Sequence, residues 1–540
     1  MKIALAQLNY TIADFEGNAS RITEAIGKAK DNGADLVVFS ELAICGYPPD
    51  DLLDYPHFIE QCEASLNRIC SHAAGIAVIV GCPVGNRSEK GRKLYNAAFV
   101  LENGRISQVV HKTLLPTYDV FDEARYFEQN DVFDLVSLNG KKIALTICED
   151  LWDSMDSFNY KSDPLEFLIN QSPDLIINIS ASPFNKNKKD DRYKVLRHDA
   201  ATFKMPLVYV NQVGAHNDLI FDGHSLVLNN DGTVAMEMPS FAESIAVYDT
   251  ELNYPGNELR EDDDTELLHR ALVFGLSDYF RKMGFKKAVI GSSGGIDSAV
   301  VQALASEALG ADNVTAVLMP SQFSSKGSVD DARKLSETLG NPYHVIPIEG
   351  IFHAFAESLK PLFRDLPFNV AEENIQARSR AVLLMAISNK FGDILLNTSN
   401  KSEMSVGYTT LYGDMCGSLS VMGDVYKTDV FRLAAYINRK GVIIPEEIIR
   451  KAPSAELRPD QKDSDSLPEY HILDAILELY IEGRMSPAGI VKKGFEKQTV
   501  EKTIQMVNRN EYKRYQAPPI LRVTSKAFGR GRIIPLVSKW

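Results

Sequence analysis

At 540 residues the chain is too long for one hydrophobic core, so two or three domains are expected. Its 45% hydrophobic and 24% charged content is ordinary for a soluble globular protein, and a net charge of −14 argues against a nucleic-acid surface, which needs a basic face. No apolar run approaches the roughly 18 residues of a membrane helix, so no membrane partner is expected. The six cysteines (Cys45, Cys62, Cys70, Cys82, Cys148, Cys416) form no Cys-x-x-Cys pair and no zinc spacing, which predicts a reduced, cytoplasmic protein.

The start, M-K-I-A-L-A-Q-L-N-Y, reads as a first strand and not as a signal peptide. Strand-like runs follow at 36–40, 76–81, 96–101, 142–147, 175–179 and 207–211, alternating with helical patterns. Three residues end or follow such runs: Glu41 after L-V-V-F-S, Lys112 after V-V-H, and Cys148 after K-I-A-L-T-I. Strand ends in α/β folds face a common crevice. A thiol, a carboxylate and an ammonium converging there would suit amide cleavage, with the thiolate attacking, the carboxylate taking its proton and the ammonium supporting the oxyanion.

Residues 250–266 (T-E-L-N-Y-P-G-N-E-L-R-E-D-D-D-T-E) combine Pro-Gly with an acidic run and read as an exposed linker. The expected division is 1–249, linker 250–266, and 267–540. Beyond the linker, strand-like runs at 288–291, 314–320, 343–348 and 394–398 alternate with helices, which predicts a doubly wound parallel sheet.

The most informative stretch is Gly291-Ser292-Ser293-Gly294-Gly295-Ile296-Asp297-Ser298, between a strand-like and a helix-like run. Such a turn leaves backbone N–H groups pointing together at a helix N-terminus, a ready anion site. It lacks the Lys-Ser/Thr ending of a Walker loop and carries Asp297 instead, an oxygen ligand suited to Mg²⁺ on a pyrophosphate. Residues 407–423 hold four glycines without a clear period and read as a loop able to close over a reactive intermediate.

S-G-G-I-D-S resembles the pyrophosphate loop of the ATP pyrophosphatase superfamily, whose members cleave ATP to AMP and pyrophosphate. In the first half, E-L-A-I-C-G-Y-P-P-D-D-L-L, H-K-T-L-L-P-T-Y-D-V-F-D-E-A-R-Y-F and I-C-E-D-L-W resemble the carbon–nitrogen hydrolase (nitrilase) superfamily. That resemblance implies an N-terminal αββα sandwich with Glu41, Lys112 and Cys148 as its catalytic triad, Glu41 being favoured as base over Glu123 and Glu149. It places a substrate glutamine at Tyr118, Ser182 and Lys188.

The pairing of the two halves resembles the glutamine-dependent NAD synthetases over essentially the whole chain. The resemblance implies ATP contacts along 291–298 and at Thr398 and Lys427. It implies deamido-NAD contacts at Asn374, Glu403 and Lys513 (or Arg514), Mg²⁺ at Asp297 and Glu403, and a homo-oligomer. The run Ser399-Asn400-Lys401 departs from the ammonia-only relatives, which tend to read D-H-A here. Another glutamine-dependent amidoligase, or a sensor of glutamine or nucleotide without turnover, are the alternatives; the intact Glu41, Lys112, Cys148 and Asp297 argue against the sensor.

Overall fold

The computed structural model describes residues 1–152 and 160–538. The chain divides into two compact units, Met1–Asp262 and a second from Asp263 onward.

The first unit contains two six-stranded sheets. One runs Ser244–Asp249, Lys2–Gln7, Leu36–Val38, Ala77–Gly85, Leu94–Glu102, Arg105–His111. The other runs Val234–Glu237, Leu226–Leu228, Leu207–Asn211, Leu175–Ser180, Lys141–Ile147, Val136–Leu138. Side-chain alternation along the strands builds the layers. Ile3, Leu5, Val38 and Ile79 meet Ile143, Leu145, Ile177 and Val208 between the sheets. Ala4, Ala6, Val37 and Val80 point the other way, onto Ile22, Ile26, Leu66 and Ile69 of helices Phe15–Asp31 and Pro56–Ser71. On the far side Ala144, Ile176 and Tyr209 pack on Leu165, Leu168 and Leu196 of helices Pro164–Ile169 and Lys188–Phe203. The result is an αββα sandwich.

Several strands here escape a reading based on apolar runs, notably Val136–Leu138, Val213–His216 and Leu219–Asp222. They are three or four residues long, too short to show a period. Residues 250–262 cluster with this unit. Asn257 bridges to Val234, and buried Lys189 donates to the Arg260 carbonyl at 2.6 Å and pairs with Asp262.

The second unit has a parallel sheet in the order Tyr343–Val345, Val314–Leu318, Ala288–Gly291, Ile394–Asn397, Leu419–Ser420. The chain winds outward through the first three strands, then returns to the other side. The switch point therefore lies between Ala288–Gly291 and Ile394–Asn397, where open α/β sheets bind ligands at their carboxyl ends. On one face Ala316 and Leu318 pack on Ala332 of helix Lys326–Leu339. On the other, Val289, Val317 and Leu395 pack on Leu384 of helix Val370–Phe391. No helix among the described residues is long and apolar enough to cross a membrane.

Residues 407–423 are loop and turn apart from two residues, but the loop is anchored. Leu419–Ser420 is a sheet strand, and the Asn397 amide donates to the carbonyls of Asp414 (2.7 Å) and Cys416 (3.0 Å). Much of the segment is thus tied to the sheet as a wall beside the switch point.

Candidate active sites

In the first unit Glu41, Lys112 and Cys148 follow the ends of strands Leu36–Val38, Arg105–His111 and Lys141–Ile147. Cys148 follows Lys141–Ile147, and its φ of 46° turns the chain sharply into a single 3₁₀ turn, Cys148–Leu151. Asp150 secures that turn. Its carboxylate accepts from the Ile147 N–H (3.1 Å) and from the N–H groups of Thr113 (3.0 Å) and Leu114 (2.8 Å), directly after Lys112. One buried side chain thereby fixes both the thiol and the ammonium segments. Burial pushes its carboxyl up to about 7 even though those donors pull the other way.

Lys112 Nζ lies 2.7 Å from Glu41 Oε1 and 2.8 Å from Glu123 Oε1, all three side chains being shielded from water. Asn96 Nδ2 donates to Glu41 (2.7 Å) and Glu123 (3.3 Å), the Ala181 N–H donates to Glu41 Oε2 (3.0 Å), and the Tyr47 hydroxyl to Glu123 (2.9 Å). Burial opposes the charge on Lys112, but Glu123 and Glu41 outweigh it and hold its pKa well above the usual value. Burial raises Glu123 to about 7 against the pull of Lys112.

The Lys112 ammonium does not by itself activate the thiol. Burial and the Glu41 carboxylate push Cys148 above its ordinary value and outweigh Lys112. This environment favours the thiol over the thiolate, and attack requires a base to take its proton.

The three glutamine candidates surround this group. The Tyr118 hydroxyl donates to Glu149 Oε1 at 2.9 Å, and the Tyr160 hydroxyl to the same oxygen at 3.0 Å. Lys188 Nζ sits 3.6 Å above the Trp152 ring, and burial lowers its pKa to about 8. Ser182 is buried one residue after Ala181, its N–H bound to Asn211 at 2.9 Å. Asn96, Asp150 and Tyr160 escaped the sequence reading, which weighed Glu123 only as an alternative base. Of these three, Asp150 alone carried a signal, its place in the matched I-C-E-D-L-W segment.

In the second unit the switch point opens into a cavity of about 300 Å³. It is lined by Gly291, Ser292, Ser293, Gly295, Ile296 and Asp297, with Thr398, Glu403 and Lys427 across from them. The loop is preformed. Gly294 has φ +76°, and a Cβ there would lie 2.1 Å from the Ser328 carbonyl oxygen, so only glycine fits. The Ser298 hydroxyl donates to the Gly295 carbonyl (3.0 Å), and the Gly295 N–H to Ser293 Oγ (3.2 Å).

Lys427 Nζ bridges Asp297 Oδ2 (2.5 Å) and Glu403 Oε1 (2.9 Å). Asn400 Nδ2 donates to the other Asp297 oxygen at 2.8 Å. Asn400 also caps helix Lys401–Val406, accepting from the Glu403 N–H. Burial raises Glu403 to about 7 against the pull of Lys427. Lys401, beside it, is structural: its buried Nζ meets Asp424 (2.9 Å), Glu482 (3.0 Å) and Thr524 (2.7 Å).

Asn374 and Lys513 lie outside this lining but converge on one segment. Asn374 Oδ1 accepts from the Thr410 hydroxyl (2.7 Å), and Lys513 Nζ donates to the carbonyls of Gly407 and Thr409 (both 2.7 Å). Arg514, the alternative to Lys513, is buried and spends its guanidinium on the chain itself: Ser405 O (2.7 Å), Val507 O (2.5 Å) and Glu511 (2.6 Å). The cavity lining also holds Arg380, Asp414 and Asp463, which no sequence motif had singled out.

The family profile described as Carbon-nitrogen hydrolase matches residues 2–256, and that described as NAD synthase matches 268–517. The chain is 47% identical to the glutamine-dependent NAD(+) synthetase of Synechocystis sp. over 99% of this chain and 98% of that protein. It is 40% identical to the protein of that name from Aquifex aeolicus, over the full length of both. Among solved structures, the glutamine-dependent NAD+ synthetase from Acinetobacter baumannii in complex with ADP matches 100% of this chain and 99% of its own, with TM-score 0.78 and 38% identity.

Proposed function

Because this chain belongs to the glutamine-dependent NAD(+) synthetase family, we propose that it amidates deamido-NAD to NAD with ammonia freed from glutamine, driven by cleavage of ATP to AMP and pyrophosphate. The observation that carries this reading is the presence on one chain of two differently equipped sites: a buried Glu–Lys–Cys group at strand ends, and the S-G-G-I-D-S loop at a sheet switch point.

In the first site Glu41 takes the Cys148 proton as the sulfur attacks the glutamine carboxamide. The C–N bond breaks, ammonia leaves with that proton, and water hydrolyses the thioester. Lys112 stays charged beside the developing oxyanion and supports it. Glu149, oriented by Tyr118 and Tyr160, suits the α-ammonium of glutamine, and Lys188, held over Trp152, suits its α-carboxylate. Ser182, buried beside Ala181, is assigned to the same glutamine site.

In the second site the N–H groups of residues 291–298 hold the phosphates, with Thr398 and Lys427 across the cavity. Asp297 and Glu403 bring hard carboxylate oxygens to one point, a donor set that fits Mg²⁺. Bound there, Mg²⁺ would neutralise charge on the pyrophosphate leaving group. Asn374, Glu403 and Lys513 are assigned to deamido-NAD. Helices Glu349–Phe363 and Val370–Phe391 expose Phe355, Leu362, Val370 and Phe391, a surface suited to a second copy and so to a homo-oligomer. All six cysteines are unpaired, which suits the cytoplasm.

The test is product analysis with ATP, glutamine and deamido-NAD, each omitted in turn. NAD, AMP and pyrophosphate should appear in equal amounts only with all three. AMP formation that ignores deamido-NAD and follows another carboxylate would assign a different amidoligase.

A further inference from the structure

Lys427 occupies a position at odds with a simple phosphate contact. It is 2% exposed, and its ammonium lies between the two carboxylates assigned to the metal, 2.5 Å from Asp297 and 2.9 Å from Glu403. Both carboxylates are aimed at that point by fixed neighbours. Asn400 holds the far oxygen of Asp297, and the Tyr470 hydroxyl touches Glu403 Oε1 at 3.3 Å. The backbone of Lys427 is anchored too, its N–H donating to Ser402 Oγ at 2.8 Å. The four-carbon side chain above that anchor has the rotatable bonds needed to redirect its ammonium.

We propose that Lys427 holds the place of the divalent cation in the nucleotide-free protein, so that metal and nucleotide enter together while the lysine moves from the carboxylates to the arriving phosphates. The inference rests on Asp297 and Glu403 being the metal ligands. Two partly buried carboxylates facing one point repel each other and favour a cation between them. The Lys427 ammonium supplies one. A metal ion arriving alone would have to displace it, leaving a buried lysine without a partner beside a dication. A nucleotide removes that obstacle, because its phosphates give the ammonium a new partner as the metal takes the old one. Metal and nucleotide binding are then positively coupled through one side chain. The separation of 130 residues between Lys427 and Asp297 means that the exchange also links two distant segments of the cavity wall.

The experiment is titration of the full chain with Mn²⁺, reading free Mn²⁺ by its paramagnetic resonance signal, first without nucleotide and then with α,β-methylene-ATP. Without nucleotide, Lys427→Met and Lys427→Gln should each bind one Mn²⁺ about tenfold or more tighter than the unmodified protein. Lys427→Arg, which keeps the charge, should bind as weakly as the unmodified protein. If neither neutral variant gains affinity, while the unmodified protein with α,β-methylene-ATP takes up Mn²⁺ in a manner abolished by Asp297→Asn, the place-holding role is wrong and the metal ligands stand. If the ion gained by Lys427→Met survives the addition of Asp297→Asn, the ligand assignment itself is wrong.

Discussion

Lys112 and Glu41 face each other across 71 residues of sequence with 2.7 Å between Nζ and Oε1, both wholly shielded from water. Removing Lys112 takes the cation from the buried Glu41, and removing the Glu41 charge leaves Lys112 to Glu123 alone. Glu41→Gln and Lys112→Ala should therefore each lower glutaminase turnover by about 10²–10⁴-fold, the usual cost of losing a base or an oxyanion support. Steady-state glutamine hydrolysis measures it, and near-normal rates in either variant would remove the triad.

The two sites should separate by nitrogen source. Cys148→Ala should abolish NAD formation with glutamine but retain it with ammonium at about tens of millimolar, well above typical KM values. Equal loss with both sources would mean that the thiol is structural.

Asp297→Asn should stop synthesis from glutamine and from ammonium alike, since both nitrogen sources need the same activated carboxylate. The readout is pyrophosphate release. Stoichiometric ADP from the unmodified protein would contradict the loop's chemistry, which offers backbone donors and Asp297 in place of a Walker lysine.

The pH dependence of the free thiol follows from its surroundings. Burial and Glu41 hold Cys148 above the ordinary thiol value, so iodoacetamide labelling without glutamine should show no inflection near pH 9, where a solvated cysteine ionises. A midpoint at or below that value would mean a preformed thiolate and would relieve Glu41 of its role as base.

Glu123 adds a stability signature. Its carboxyl, ordinarily at 4.5, is raised to about 7 on folding, so the folded protein binds more protons than the unfolded chain between those values. Its contribution to stability must then fall as pH rises from 4.5 to 7. Glu123→Gln should gain on the unmodified protein across that window, as read from thermal midpoints. A difference that does not change with pH would place the proton elsewhere.

Lys513 and Arg514 should part company. Arg514→Ala leaves the buried Glu511 with Arg532 as its one remaining guanidinium partner and takes a donor from the carbonyls of Met404, Ser405 and Val507, so it should cost about 1–3 kcal/mol of stability. Lys513→Ala should leave the melting temperature nearly unchanged and raise the KM for deamido-NAD. The reverse pattern would exchange their assignments.

The local chemistry was legible in the sequence wherever it is contiguous. The turn at 291–298 lies between its own strand and helix, so its residues reveal its conformation. Cys148 and Glu41 could be placed because strand ends follow from apolar runs. The short strands and the tying of residues 407–423 to the sheet were not legible, since their bonds are made to Asn397 and to neighbouring strands and not within the segment. The same holds for the electrostatics. That Glu123 shares Lys112, that Asp150 fastens the thiol turn to the lysine segment, and that Lys427 lies between Asp297 and Glu403 are decided by packing across 11 to 130 residues. Residue type sets what a side chain can do. Which charge it meets, and how far burial shifts its proton, depend on neighbours that only the folded chain supplies.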